Sequence, residues 1–316
     1  MADLKREDVI QAALRLADVV ERTPMLAAQI RGHTVWLKCE NRQTGGAFKL
    51  RGASNRLLAM SASERALGVV AFSSGNHALG VAIAARRLGI KAVIVMPHDA
   101  PSLKVEGTSA EGAEIVFYDR RTEDRIAIAA QISEQTGATV VPSFDDPYIV
   151  TGQGSVGTEI LDQLGRSPSR IVIPCGGGGL AAGVALACPD SAITIVEPDG
   201  WDDMRRSLSG GAIVAVEPDA PPTLCDALQT PRVSPITFAI LRDRQAEALS
   251  VSDTEACAAI AWAWHEHQLV VEAGGAVALA AVLAGKIDLI ENLVVLVSGG
   301  NIDPALHARI VDQATR

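Results

Sequence analysis

Short β-branched runs recur along the chain with helical stretches between them: TVWLKC, GVVAFS, KAVIVM, AEIVFY, TVVPSF, RIVIPC, AITIVEP and NLVVLVSGG. Strands separated by helices pair in parallel through right-handed crossovers, so the pattern predicts an α/β fold with doubly wound sheets and not a meander. In such sheets the turn after a strand opens onto a cleft, and the next helix points its free N–H groups there. The glycine-rich segments sit at those turns. The opening residues, MADLKREDVIQAALRL, read as an amphipathic helix with interleaved charges. No linker or repeat separates two halves, so two lobes are expected to interleave. Residues 1–45 and 145–316 would form the larger, with 46–144 inserted as the smaller.

Composition narrows this picture. A chain of 316 residues can bury one large core or two sharing a cleft. With 48% hydrophobic but only 3% aromatic residues, that core is Ala, Val, Leu and Ile, which suits parallel strands and close helices. The net charge of −9 argues against a nucleic-acid partner. No apolar run reaches the roughly 18–20 residues that cross a bilayer, and the first segment lacks a signal peptide's apolar centre, so a cytoplasmic protein is expected. Five cysteines without a CxxC pair fit reduced thiols.

Five segments carry candidate chemistry. In CENRQTGGAFKLRGASNRL, Lys49 follows a Gly-Gly turn and opens a helix-compatible run. It is either a solvated lysine or a cleft lysine able to form a Schiff base once desolvated. In AFSSGNHALG, a strand ends in Ser73-Ser74-Gly75-Asn76-His77 as a small-residue helix begins. That arrangement suits a carboxylate, although a plain N-capped turn reads the same way. RIVIPCGGGGLAAG runs a strand into Gly176, Gly177, Gly178 and Gly179. Four consecutive glycines are entropically costly and suit a backbone that wraps a small phosphate. In EPDGWDD, Glu197 and Asp203 are either solvated or ligands of a hard divalent cation. NLVVLVSGGNID ends an apolar strand at Ser298, placed to hydrogen-bond a ring nitrogen or simply to close a turn. The remaining histidines, His33, His98, His265, His267 and His307, show no metal-ligand grouping.

In this order, and joined by GQG at 152–154 and EAGGA at 272–276, the segments resemble the fold-type II pyridoxal-phosphate family of threonine and serine dehydratases and serine racemase. The likeness spans residues 5–305. It implies a tryptophan synthase β-like fold with pyridoxal 5′-phosphate in the cleft between two lobes. It further implies that Lys49 forms the Schiff base and takes the substrate's α-proton, with Phe48 packed beside the ring and Ser74 as acid/base on the opposite face. Ser73, Ser74, Gly75, Asn76 and His77 would hold the substrate carboxylate, Asn76 lying also near the ring hydroxyl. Gly176, Gly177, Gly178, Gly179 and Leu180 would bind the phosphate, with Glu272 near the ring and Ser298 at its nitrogen. Glu197, the Trp201 carbonyl and Asp203 match the spacing of a divalent-cation site, for Mg2+ or a similar ion. The implied activity is dehydration and deamination of a small 3-hydroxy amino acid to a 2-oxo acid and ammonia, in a homodimer.

Departures from the family pattern bear on the substrate. Gly45-Gly46-Ala47-Phe48-Lys49 stands where the family commonly has Thr-Gly-Ser-Phe-Lys, and Cys225-Asp226-Ala227 where it has Ala-Asp-Gly. The resemblance implies a threonine- or serine-like substrate; these changes count against threonine itself and favour a bulkier or more polar 3-hydroxy amino acid such as 3-hydroxyaspartate, phenylserine or a hydroxyectoine breakdown product. Racemisation is a second reading. A cysteine synthase-like β-replacement is a third, although that group usually has Thr where His77 stands. A silent vitamin B6 or amino-acid binding protein is the non-catalytic reading.

Overall fold

The computed structural model describes residues 3–314, so Met1 and Ala2 of the expected first helix lie outside it. That helix runs from Arg6 to Leu16 and buries Val9, Ala12 and Leu16, one stripe at helical spacing.

Among the described residues, ten strands form two sheets. They are β1 (Met25–Ile30), β2 (His33–Cys39), β3 (Val69–Phe72), β4 (Ala92–Pro97), β5 (Glu114–Tyr118), β6 (Thr139–Val140), β7 (Arg170–Pro174), β8 (Ala192–Pro198), β9 (Glu247–Val251) and β10 (Leu293–Val297). The larger sheet has the order β1-β2-β10-β7-β8-β9 and the smaller β5-β4-β3-β6. Every pair is parallel except β1 with β2. The parallel-rich expectation holds, and the one antiparallel pair forms because Arg31 and Gly32 both take positive φ (48° and 78°), the two-residue turn whose twist matches a tight hairpin.

Sequence reading missed two strands and overextended one. MLAAQI in β1 and EALSV in β9 lack the β-branched density that marks the other strands. TVVPSF keeps only Thr139–Val140 in the sheet. Pro142 has no N–H for a ladder, and the chain turns there so that Ser143 and Phe144 line the cleft.

The five residues of β10, LVVLV, are all buried at the middle of the larger sheet. Helix Ala273–Leu283 covers one face with residues that are small or aliphatic throughout. On the other face, helix Gly179–Ala187 lies against helix Pro147–Leu164 so closely that a Cβ on Gly183 would fall 2.3 Å from the Val150 carbonyl oxygen. Aromatic rings would not fit such spacing, which is the packing consequence of the aromatic-poor composition. The carboxyl ends of β3, β7 and β10 lead into Ser73, the tetraglycine run and Ser298, and all three open on one cleft. Four cysteines are buried, Cys257 is half-buried, and all five are unpaired. Among the described residues no helix is long and apolar enough to cross a membrane.

Candidate active site

The Lys49 turn is gripped from one side by the end of β10. The Phe48 N–H donates to the Ser298 carbonyl (3.2 Å), the Gly300 N–H to the Gly46 carbonyl (2.8 Å) and Asn301 Nδ2 to the Gly45 carbonyl (2.8 Å). Gly46 needs its φ of +72°, and a Cβ there would lie 2.2 Å from Asn301 Oδ1. Lys49 then opens helix Lys49–Leu58. Its Nζ lies 5.1 Å from the Phe48 ring centroid and donates to the Ser143 carbonyl at 3.2 Å. Burial with no carboxylate partner lowers this amine to about 8. A neutral amine is the nucleophile, so its share falls tenfold per pH unit below that value. Covalent attachment of pyridoxal phosphate to stripped protein should therefore speed up with pH and level off near pH 8, as followed by absorbance. An ordinary lysine would keep accelerating toward roughly pH 10.4.

The anion cradle follows β3. The Gly75 N–H donates to Ser73 Oγ (3.2 Å), Ser74 lines the cleft, and helix Asn76–Leu88 begins at once with its unpaired N–H groups facing the same space. The Asn76 amide is fixed twice: Asn301 Nδ2 donates to Asn76 Oδ1 (2.9 Å), and Asn76 Nδ2 donates to Glu272 Oε1 (2.5 Å). The His77 ring is buried, with Nε2 against the Val141 carbonyl at 2.9 Å and Nδ1 unpartnered. Burial, and Lys49 nearby, push the ring down to about 3, so it stays neutral. A carboxylate in the cradle would therefore meet its backbone N–H and not an imidazolium.

Opposite lies the tetraglycine loop, ahead of helix Gly179–Ala187 and with Leu180 buried in its first turn. A Cβ on Gly177 would fall 2.3 Å from the Phe144 ring, and one on Gly178, whose φ is +84°, 2.7 Å from Met204 Cε. Thr237 Oγ1 ties the loop down by donating to the Gly177 carbonyl at 2.8 Å. Between cradle and loop stand Ser298 and Glu272. Glu272 Oε2 is buried without a hydrogen-bond partner, and the nearest cation, Lys104 Nζ, is 3.9 Å away. Burial pushes this carboxyl up to about 7. The space in and before the cleft, open solvent included, is about 950 Å³. It fits pyridoxal phosphate: a glycine cradle for the phosphate, a depressed amine for the aldehyde, and an unpartnered carboxyl oxygen and a serine for the ring's polar atoms.

The carboxylates proposed for metal lie behind the loop, outside this cleft. Glu197 is fully buried, and its oxygens accept the Met204 N–H (3.0 Å) and the Arg205 N–H (2.7 Å). Asp203 accepts the Val233 N–H at 2.9 Å. Burial first, and then Asp203 nearby, drives Glu197 well above the usual carboxylate range, while burial pushes Asp203 up to about 6. Among the described residues no cluster of three or more His, Cys, Asp or Glu forms a metal site. A cation here would therefore need main-chain oxygen, such as the Trp201 carbonyl, alongside these two hard donors.

Sequence reading missed the cleft's other cations, Lys104 and Arg125. Lys104 donates to Asp226 Oδ2 at 2.6 Å. Arg125 lies over the Phe72 ring (5.7 Å to the centroid) and has no carboxylate partner among the described residues. Both open a helix soon after a strand, Ser102–Ala110 after β4 and Arg125–Thr136 after β5. The strand-turn-helix rule could have flagged them.

Comparison with known proteins agrees with this geometry. The family model for pyridoxal-phosphate dependent enzymes matches residues 16–299. L-threo-3-hydroxyaspartate ammonia-lyase of a Pseudomonas species is 41% identical, covering 96% of this chain and 97% of that one. Serine racemase of Schizosaccharomyces pombe is 37% identical, covering 97% of each chain. The structure of maize serine racemase superposes with a TM-score of 0.91 at 34% identity, covering 98% of both chains.

Proposed function

This chain belongs to the pyridoxal-phosphate dependent enzymes, and on that premise we propose that it is an ammonia-lyase for L-threo-3-hydroxyaspartate. The observation that carries the substrate is Arg125, an unpaired guanidinium in a cleft whose cradle already serves one carboxylate. A second carboxylate on the substrate supplies its partner. The similar Pseudomonas ammonia-lyase points to the same compound.

When bound, pyridoxal phosphate supplies a conjugated ring that draws electrons from the substrate's α-carbon. The protein does the rest. The backbone N–H groups at Asn76 and His77 hold the α-carboxylate and orient the α-hydrogen. Lys49, with an amine lowered to about 8, is neutral often enough near pH 7 to take that hydrogen as a proton. The β-hydroxyl then leaves as water, gaining a proton that balances the one Lys49 removed, and a water taken up later releases ammonia and leaves a 2-oxo acid. Glu272 keeps its proton up to about pH 7; since Oε1 accepts from Asn76, the proton belongs on Oε2, the atom free to donate. Gly176–Gly179 would hold the phosphate, and Ser298 would meet the ring nitrogen. Ser74 in the cleft supports a second activity, racemisation, since its hydroxyl can return a proton to the α-carbon.

The experiment is a substrate panel with 2-oxo acid and enantiomer measured together. L-threo-3-hydroxyaspartate should be the best substrate. Arg125→Met should lower kcat/KM for it by about 10- to 100-fold, the value of a charged hydrogen bond, while leaving L-serine and L-threonine within about threefold. Equal losses on all three would sink the dicarboxylate reading.

Glu197, the Trp201 carbonyl and Asp203 would hold Mg2+, whose charge would offset the burial that holds both carboxyls above their usual range. Saturating Mg2+ should raise the melting temperature of chelator-treated protein by about 5 °C, with the effect absent in Asp203→Asn. An unchanged melting temperature would remove the cation from this site.

A further inference from the structure

Lys49 and Arg51 stand two residues apart at the start of one helix. Two residues turn about 200°, so a side chain at that spacing from the cleft lysine points to the opposite side. There Arg51 is fully buried with every guanidinium nitrogen engaged. Nε and Nη2 fork onto Glu40 (2.7 and 2.9 Å), and Nη1 and Nη2 onto Glu159 (2.6 and 3.0 Å). Nη1 also reaches Ser155 Oγ, and Nη2 the Glu21 carbonyl, both at 3.2 Å. Lys38, equally buried, donates to Glu159 (2.5 Å), the Thr23 carbonyl (2.8 Å) and Gln163 (2.9 Å). The Thr23 hydroxyl completes the group by donating to Glu40 at 2.5 Å. Two cations and two carboxylates cancel.

Stability alone does not account for such a group, because apolar side chains of similar volume often hold a core as well or better. What a double fork adds is direction, since a guanidinium pairs with a carboxylate in one plane. The helix needs that direction. At the very next residue, Gly52 touches helix Pro147–Leu164 so closely that a Cβ would lie 2.4 Å from Gln153 Nε2, and the Gly52 N–H donates to Gln153 Oε1 at 3.1 Å. The forks add to the hydrogen bonds that Gly52 and Asn55 make onto helix Pro147–Leu164 in resisting rotation of their own helix.

We propose that Arg51 is a positioning residue: its forks onto Glu40 and Glu159 fix the rotation of helix Lys49–Leu58 and so aim Lys49 Nζ into the cleft. The proposal rests on the reading of Lys49 as the covalent anchor. A helix turned by about 10° would swing a group about 6 Å from its axis by about 1 Å, and misplacements of that size cost roughly 10²-fold in rate.

Arg51→Lys in the holoenzyme keeps the charge and loses the forks. It should lower kcat about 10- to 100-fold with KM within about threefold, and shift by at least about 0.5 unit the pH titration of the visible band of the Lys49–cofactor adduct. Leu57→Ala, buried on the same helix, supplies a comparison that is destabilised without touching the network; its kcat and titration should stay near wild type. If Arg51→Lys does not fold, Glu159→Gln removes one fork and is held to the same expectation. Either network variant matching Leu57→Ala in kcat and titration overturns the proposal. Lys49→Ala run in parallel separates the two readings: loss of the band keeps Lys49 as the anchor, and a persisting band overturns both.

Discussion

Lys49→Ala will abolish 2-oxo acid release, by at least about 10⁴-fold, while leaving the fold intact. The rate expectation follows from removing both roles proposed for Lys49, covalent anchor and base for the α-proton, either of which alone would be worth a large factor. The stability expectation follows from how little the side chain contributes when the cofactor is not attached. Its Nζ makes one hydrogen bond, to the Ser143 carbonyl, and burial works against its charge. Alanine removes that penalty, so the melting temperature of the stripped protein should stay level or rise slightly. Turnover above about 1% of wild type would assign the proton transfer elsewhere, with Ser74 the first residue to examine.

Gly177→Ala will cost the protein its hold on the cofactor. A Cβ at this position would sit 2.3 Å from the Phe144 ring, closer than two real side-chain atoms come, so the two cannot both keep their places. The ring or the loop must shift, and the loop is tethered by Thr237 to the Gly177 carbonyl. Overpacking of this kind costs about 1–3 kcal/mol, here charged against the phosphate site, so the dissociation constant for pyridoxal phosphate should rise about 10- to 100-fold. Fluorescence titration of stripped protein measures it. Gly210→Ala is the control, since a Cβ there meets nothing within 4 Å. Equal affinity in the two variants would mean that the phosphate is held elsewhere.

These two positions were visible before any coordinates. Lys49 after a Gly-Gly turn, Ser73 to His77 after one strand and Gly176 to Gly179 after another are short, local patterns. Their residue types are dictated by backbone conformation or by the start of a helix. Ser298 was legible at the end of its apolar strand, and Glu272 only through the order of motifs along the chain. Lys104 and Arg125 carried no motif. Nor could any pattern show that Ser143 would offer its carbonyl to Lys49 across 94 positions, or that Asp226 would meet Lys104 across 122.

The amino-acid sequence by itself determined the α/β rhythm, the aliphatic core and the turns that must be glycine, because each follows from side-chain size, periodicity and local dihedral freedom. Tertiary structure alone decided which of those turns face one another, that β1 folds back antiparallel on β2, that the His77 ring is held neutral against Val141, and that Arg51 shares its burial with Glu40, Glu159 and Lys38. Those outcomes depend on burial and on partners distant in the chain. Desolvation and charge pairing act only once packing has brought the groups together.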